Sequence, residues 1–152
     1  MTRYQAPIKW SKPENGNLKI NCDASYNTSN STGKAIFVCI NHKGKIINAA
    51  AKSLNCSSAE VVDALRIACQ YVTNHDLKNV VVESDAKNCV EAIQVSLDQG
   101  VDNTKWELSA IMQDIVNNLG TALKYLYTRF KHINREANNL AHWFSKNSFL
   151  DN

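Results

Sequence analysis

The sequence predicts an α/β fold: a five-stranded mixed sheet flanked by helices, with strands 1–3 an antiparallel meander and strands 4 and 5 parallel. Three observations point there. Leu18 to Ser25 (LKINCDAS) alternates at the period of a pleated strand, with Leu18, Ile20, Cys22 and Ala24 on one face and Lys19, Asn21 and Asp23 on the other. Two further strand-like runs follow closely, separated by polar and glycine-containing loops. Beyond them the apolar residues change to helical spacing, interrupted by Val80-Val81-Val82, a continuous run that suits a strand covered on both faces.

In chain order, residues 1–16 are a polar lead-in anchored by Trp10, with Pro13 and Gly16 turning the chain into the first strand, and residues 17–149 form the domain proper. Tyr26 to Gly33 is a polar loop. Lys34 to Ile40 and Lys45 to Lys52 are the second and third strands, joined by a hairpin loop over Asn41 to Gly44 whose glycine can take positive φ. Ser57 to Glu60 opens a helix, because Val61, Ala64, Leu65, Ala68 and Val72 recur at helical spacing. The fourth strand ends in Glu83-Ser84-Asp85. A second helix carries Val90, Ile93 and Leu97, and a third runs from a capping box at Thr104 to Glu107 to an expected stop at Gly120. Leu123 to Phe130 reads as the fifth strand and Glu136 to Ser148 as a last helix.

The 152 residues suit one domain, and no apolar run is long enough to span a membrane. Met1 to Trp10 lacks the apolar core of a signal peptide, so an intracellular protein is expected, nuclear or cytoplasmic, working as a monomer. The five cysteines are odd in number, widely spaced and mostly at apolar positions, which favours buried reduced thiols over a disulfide framework or a zinc site. A net charge of +3 permits a polyanionic partner without demanding one.

The element order brings three acids together. If the fourth strand lies beside the first and parallel to it, Asp23 and Asp85 stand at neighbouring carboxyl ends, and Glu60 opens a helix that returns from the same edge. Converging carboxylates need a positive charge between them, and an oxygen-rich site suits Mg2+ or Mn2+. Two such ions can serve phosphodiester cleavage. Each acid also has a structural explanation: Glu60 fits a capping box with Ser57, and Asp85 fits a helix N-cap. Asp23 has none nearby in sequence.

Four motifs carry a resemblance. Trp10, Pro13, Gly16, Lys19, Asn21, Asp23 and Ala24 form the first; Ala59-Glu60, Val82 to Asp85, and Arg135 to His142 (REANNLAH) follow in order. Together they resemble the plant RNase H-like domains of the ribonuclease H type 1 family, which are related to retroelements. The resemblance implies an RNase H-like fold and an endonuclease that hydrolyses the RNA strand of RNA-DNA hybrids with two divalent metals. It places Asp23, Glu60 and Asp85 at the first three metal-binding acids, His132 at the mobile histidine and Asn138 at its accompanying asparagine. The fourth acid falls on His142, a departure. Imidazole adds no negative charge and is a poorer partner for magnesium, so a weaker second site better served by manganese is expected. Register is the other departure: Asp63 stands where the family usually has alanine, and it is an alternative second acid one turn along from Glu60.

A hybrid is recognised by shape, phosphate and 2′-hydroxyl contacts. Asn27, Ser57, Ser58, Lys87, Asn88, Arg135 and Asn138 offer short polar or basic groups near the predicted edge, as ordinary loop and cap residues also do. The rival to an enzyme is a catalytically impaired RNase H-like module that binds nucleic acid without cutting it, a reading favoured by His142.

Overall fold

In the computed structural model the described residues are 10–27, 32–55, 60–99 and 106–139. They build a five-stranded sheet in the order β3-β2-β1-β4-β5 from β1 (Leu18–Asn27), β2 (Thr32–Asn41), β3 (Ile46–Asn55), β4 (Val80–Ser84) and β5 (Arg129–His132). Pairing is antiparallel for β1–β2 and β2–β3, and parallel for β1–β4 and β4–β5. Three helices, α1 (Glu60–Asn74), α2 (Lys87–Gln99) and α3 (Trp106–Tyr125), complete the frame.

The alternation of β1 decides the two faces. Ile20 and Cys22 enter the main core with Ala35, Phe37 and Cys39 of β2. Against them pack Ala64, Leu65, Ala68, Cys69 and Val72 of α1, Val90, Ile93 and Leu97 of α2, and Ile115 and Leu123 of α3. Small residues let α1 sit close to the sheet: the Ala64 carbonyl lies 3.8 Å from Cys22 Sγ. On the opposite face Val38 and Ile40 are covered by Trp10 and Ala49.

The hairpin between β2 and β3 is held by its turn chemistry. The Asn41 side-chain oxygen accepts from the backbone N–H of Lys43 and of Lys45, both at 3.0 Å, and Gly44 takes φ +80° as the hairpin reading expects. The sequence places the start of β5 too early and the end of α3 too soon. Residues 123–125 are the last turn of α3, which runs through Gly120, and β5 is the short stretch Arg129–His132. The apolar spacing Leu119, Leu123, Leu126 continues the helical stripe and keeps the chain wound. The expected last helix is described only at its start, a 3-10 turn over Arg135–Asn138, and its remainder lies outside the described residues. Among the described residues no helix is long and apolar enough to cross a membrane.

Candidate functional site

β1 and β4 determine the site. Their parallel register runs from Leu18↔Val80 to Asn21↔Glu83, and two residues beyond that last pair the chain reaches Asp23 on one strand and Asp85 after the other. The step of two keeps Asp23 on the face that carries Asn21, and Asp85 follows the end of the neighbouring strand. Asp23 is buried and Asp85 half-buried. β5 adds His132, paired with Ser84 and half-buried, and the Ile133 N–H donates to the Ser84 carbonyl at 3.0 Å. Asp23, Asp85 and His132 thus share the carboxyl edge of the three parallel strands.

α1 starts at the same edge. β3 and β4 both run in the direction of β1, so the helix between them returns the chain and begins where the strands end. Glu60 is its first residue, one turn ahead of the Ala64 carbonyl that meets Cys22. The side chain of Glu60, and all of Ser57, Ser58 and His142, lie outside what is described, as does the side chain of Asn27 at the end of β1. The alternative acid Asp63 is engaged elsewhere: Arg66 Nη2 donates to its Oδ1 at 2.7 Å, and Arg66 Nη1 stands 3.8 Å from Asp114 of α3. Asp85 is not the N-cap of α2, which begins at Lys87 after Ala86; the Ala86 N–H donates to Ser84 Oγ at 3.2 Å. Among the described residues Asp85 makes no hydrogen bond or ion pair. Lys87 and Asn88, just after it in the chain, are exposed, and so is Arg135 in the turn after β5.

Beneath the edge lies a buried polar network that sequence reasoning missed. Asn21, fully buried, accepts from Trp10 Nε1–H at 2.8 Å and donates through Nδ2 to Glu83 Oε1 at 3.2 Å and to Asn138 Oδ1 at 3.1 Å. Asn138 Nδ2 donates in turn to the Cys22 carbonyl at 2.9 Å. Both ends of the Asn138 amide are therefore used within the protein. Lys19 Nζ lies 3.4 Å from Glu83 Oε2, donates to the Ser11 carbonyl at 2.5 Å and sits 5.1 Å from the Trp10 ring centroid. Burial pushes the Glu83 carboxyl above its ordinary range, and the Lys19 charge and the Asn21 hydrogen bond act against that rise. The signal was present in the sequence: Lys19, Asn21 and Glu83 are polar residues on central strands, where an open face would leave them in water and a covered one must satisfy them.

Among the described residues no group of three His, Cys, Asp or Glu side chains could hold a metal ion. The donors that are described, Asp23 and Asp85, are hard oxygens that each stand two residues beyond the last β1–β4 pair, and such a pair fits Mg2+ or Mn2+ completed by further carboxylate or water. A recess of about 440 Å3 opens on the same face between the lead-in and β4–β5, beside Lys19, Glu83, Arg129 and Lys131. It lies toward the amino ends of the strands and away from the acids.

Residues 21–148 match the model of the reverse transcriptase-like family. No curated protein matches the chain. Among solved structures, RNase H1 from the halophilic archaeon Halobacterium salinarum NRC-1 superposes with a TM-score of 0.65 at 13% identity, covering 86% of this chain and 98% of that one. LC11-RNase H1, isolated from compost by a metagenomic approach, gives 0.68 at 16% identity over 88% of this chain and 95% of its own. The same enzyme in complex with an RNA/DNA hybrid gives 0.62 at 16% identity, covering 83% and 91%. The likeness is one of fold, and the architecture is RNase H-like.

Proposed function

The chain belongs to the reverse transcriptase-like family, and on that premise we propose that it is a ribonuclease H type 1-like endonuclease that hydrolyses the RNA strand of RNA-DNA hybrids. The observation that carries the reading is the β1–β4 register, which leads Asp23 and Asp85 to one edge of the sheet beside His132. LC11-RNase H1, which shares the fold, is seen in complex with an RNA/DNA hybrid.

In this reading Asp23, Glu60 and Asp85, with His142 in the fourth place, hold two Mg2+ or Mn2+ ions. Bound there, divalent ions supply an acidified water and neutralise charge on the cleaved phosphate. The chain's own groups do the rest. His132 carries a proton to or from the oxygens of the scissile phosphate, as an imidazole with one donor and one acceptor nitrogen can. Lys87 and Arg135, with Asn27, Ser57, Ser58 and Asn88, hold phosphates and 2′-hydroxyls and so align the RNA strand. The network through Asn21, Glu83 and Asn138 fixes the strand end that bears Asp23.

The second reading, a module that binds the hybrid and does not cut it, is favoured by the histidine at position 142 and by the departure in register around Glu60. An end-labelled RNA-DNA hybrid incubated with the purified chain in magnesium, then manganese, separates the two. Cleavage of the RNA strand that is lost in Asp23→Asn supports the nuclease. Binding without cleavage in either metal supports the module.

A further inference from the structure

The opposite edge of the sheet carries a second feature. α3 ends in a Schellman motif: Thr128 N–H donates to the Leu123 carbonyl at 3.0 Å and Tyr127 N–H to the Lys124 carbonyl at 3.1 Å. The residue that must turn left-handed there is Tyr127, at φ 59°. α1 ends in the same way, with Leu77 N–H on the Val72 carbonyl at 3.0 Å, but the left-handed residue is Asp76 at φ 50°, a type that tolerates the conformation. Glycine is usual at this position and a bulky aromatic side chain is strained. Packing does not explain the tyrosine, because its side chain is turned out: Tyr127 is 70% exposed and its neighbour Tyr125 is 72% exposed.

Cations surround the two rings. Lys78 Nζ lies 5.9 Å from the Tyr125 ring centroid. Tyr127 borders a recess of about 390 Å3 lined also by Lys124, Arg129, Asn79 and Thr128, with Asp98 as its one acid. Asp98 accepts from Gln94 Nε2 at 3.3 and 3.4 Å. The Thr128 hydroxyl, buried against the recess, has no hydrogen-bond partner among the described residues. From Arg129 the exposed positive charge continues through Lys131 along β5, the edge strand that ends at His132.

We propose that this amino-terminal edge is a platform for single-stranded nucleic acid, on which Tyr125 and Tyr127 stack bases while Lys78, Lys124 and Arg129 hold phosphates. Exposed rings interleaved with cations are what sequence-independent binding of a single strand requires, since every base has a face to stack and every linkage a charge. An acidic peptide would use the cations and leave the strained tyrosine unexplained. The platform does not rest on hybrid cleavage, and it lies at the other end of the strands from Asp23 and Asp85.

The test is fluorescence anisotropy of labelled oligo-dT and oligo-rU with the whole chain, alongside cleavage of a blunt hybrid. Tyr125→Ala/Tyr127→Gly removes both rings and gives the left-handed position the residue it favours, so the fold is kept. It is expected to weaken single-strand binding about tenfold or more and to leave blunt-hybrid cleavage unchanged. Tyr125→Phe/Tyr127→Phe should retain binding, because the ring and not the hydroxyl is used. Lys124→Gln and Arg129→Gln should each flatten the salt dependence of binding. The proposal is overturned if the parent chain binds no single strand at low salt, or if the Ala/Gly variant binds as tightly as the parent. Loss of cleavage in Asp23→Asn with single-strand binding intact separates this platform from the catalytic edge.

Discussion

The Asn138 side-chain amide donates to the Cys22 carbonyl at 2.9 Å, clamping the peptide that leads directly into Asp23 from a position 116 residues later. The β1–β4 ladder ends at Asn21 and Glu83, and Asn138 supplies the donor to the first carbonyl beyond it. A strand that diverges from its neighbour to present a carboxylate leaves backbone groups unpaired, and here a side chain from the turn after β5 closes the gap.

Asn138→Ala is therefore expected to destabilise the protein by about 1–3 kcal/mol, the cost of leaving the Cys22 carbonyl and the Asn21 amide buried without this partner. Its effect on hybrid cleavage should fall on kcat, because the residue positions Asp23 and is 1% exposed. Urea unfolding and steady-state kinetics measure both. A raised KM with kcat unchanged would place Asn138 against the substrate instead.

Glu83 gives a pH dependence with a definite sign. Its carboxyl is raised by burial, so the folded state holds the proton to a higher pH than the unfolded chain, whose glutamates titrate near ~4.3. Protonation favours folding, and the contribution is complete below the unfolded value and lost as pH rises through the raised folded one. The unfolding free energy of the parent relative to Glu83→Gln should fall as pH rises from the unfolded glutamate value through the raised folded one. Denaturation across that range decides it; a difference that grows with pH would mean that Lys19, at 3.4 Å, outweighs burial.

Arg66 joins Asp63 on its own helix to Asp114 on α3, which gives Asp63 a packing task between helices. Asp63→Asn should cost about 1 kcal/mol: the Asp63 side chain is only 12% exposed, but its partner Arg66 is 29% exposed and water screens the pair. Hybrid cleavage should stay within a few-fold of the parent, whereas Glu60→Gln should abolish it. Full loss in Asp63→Asn alone would move the second acid to position 63.

His142→Asp restores a carboxylate at the fourth position. It should raise activity in magnesium relative to manganese, because a hard anionic oxygen suits magnesium better than imidazole does. The ratio of initial rates in the two metals reads the effect, and an unchanged ratio would take residue 142 out of the metal site.

The meander, the parallel placement of β4 beside β1 and the polarity of the edge are legible in the chain because they follow from period, loop length and crossover handedness around Asp23 and Asp85. The covered face beneath them is not. Lys19 and Asn21 alternate as solvent-facing residues do, and only the three-dimensional closure by Trp10 and Asn138 turns them, with Glu83, into a buried network. The α3–β5 boundary is obscured for a different reason. Gly120 and the β-prone Tyr125, Tyr127 and Phe130 favour an early stop locally, and the apolar stripe through Leu123 and Leu126 overrides them by burying the last helical turn against the core.

That override makes Gly120 a weak point inside a helix rather than its end. Glycine in a helix interior gives up more backbone freedom than alanine and contributes no contacts. A Cβ built at Gly120 meets Val116 Cγ1 at 3.5 Å and Leu97 Cδ2 at 3.6 Å, ordinary van der Waals distances, so an alanine fits between α3 and α2 without displacing either. Gly120→Ala should stabilise the protein by about 0.5–1 kcal/mol, and thermal unfolding followed by circular dichroism reads the shift. Hybrid cleavage should be unaffected, since the position is remote from Asp23 and Asp85. Destabilisation would mean that the close approach of α2 and α3 at Leu97 cannot yield even a few tenths of an ångström.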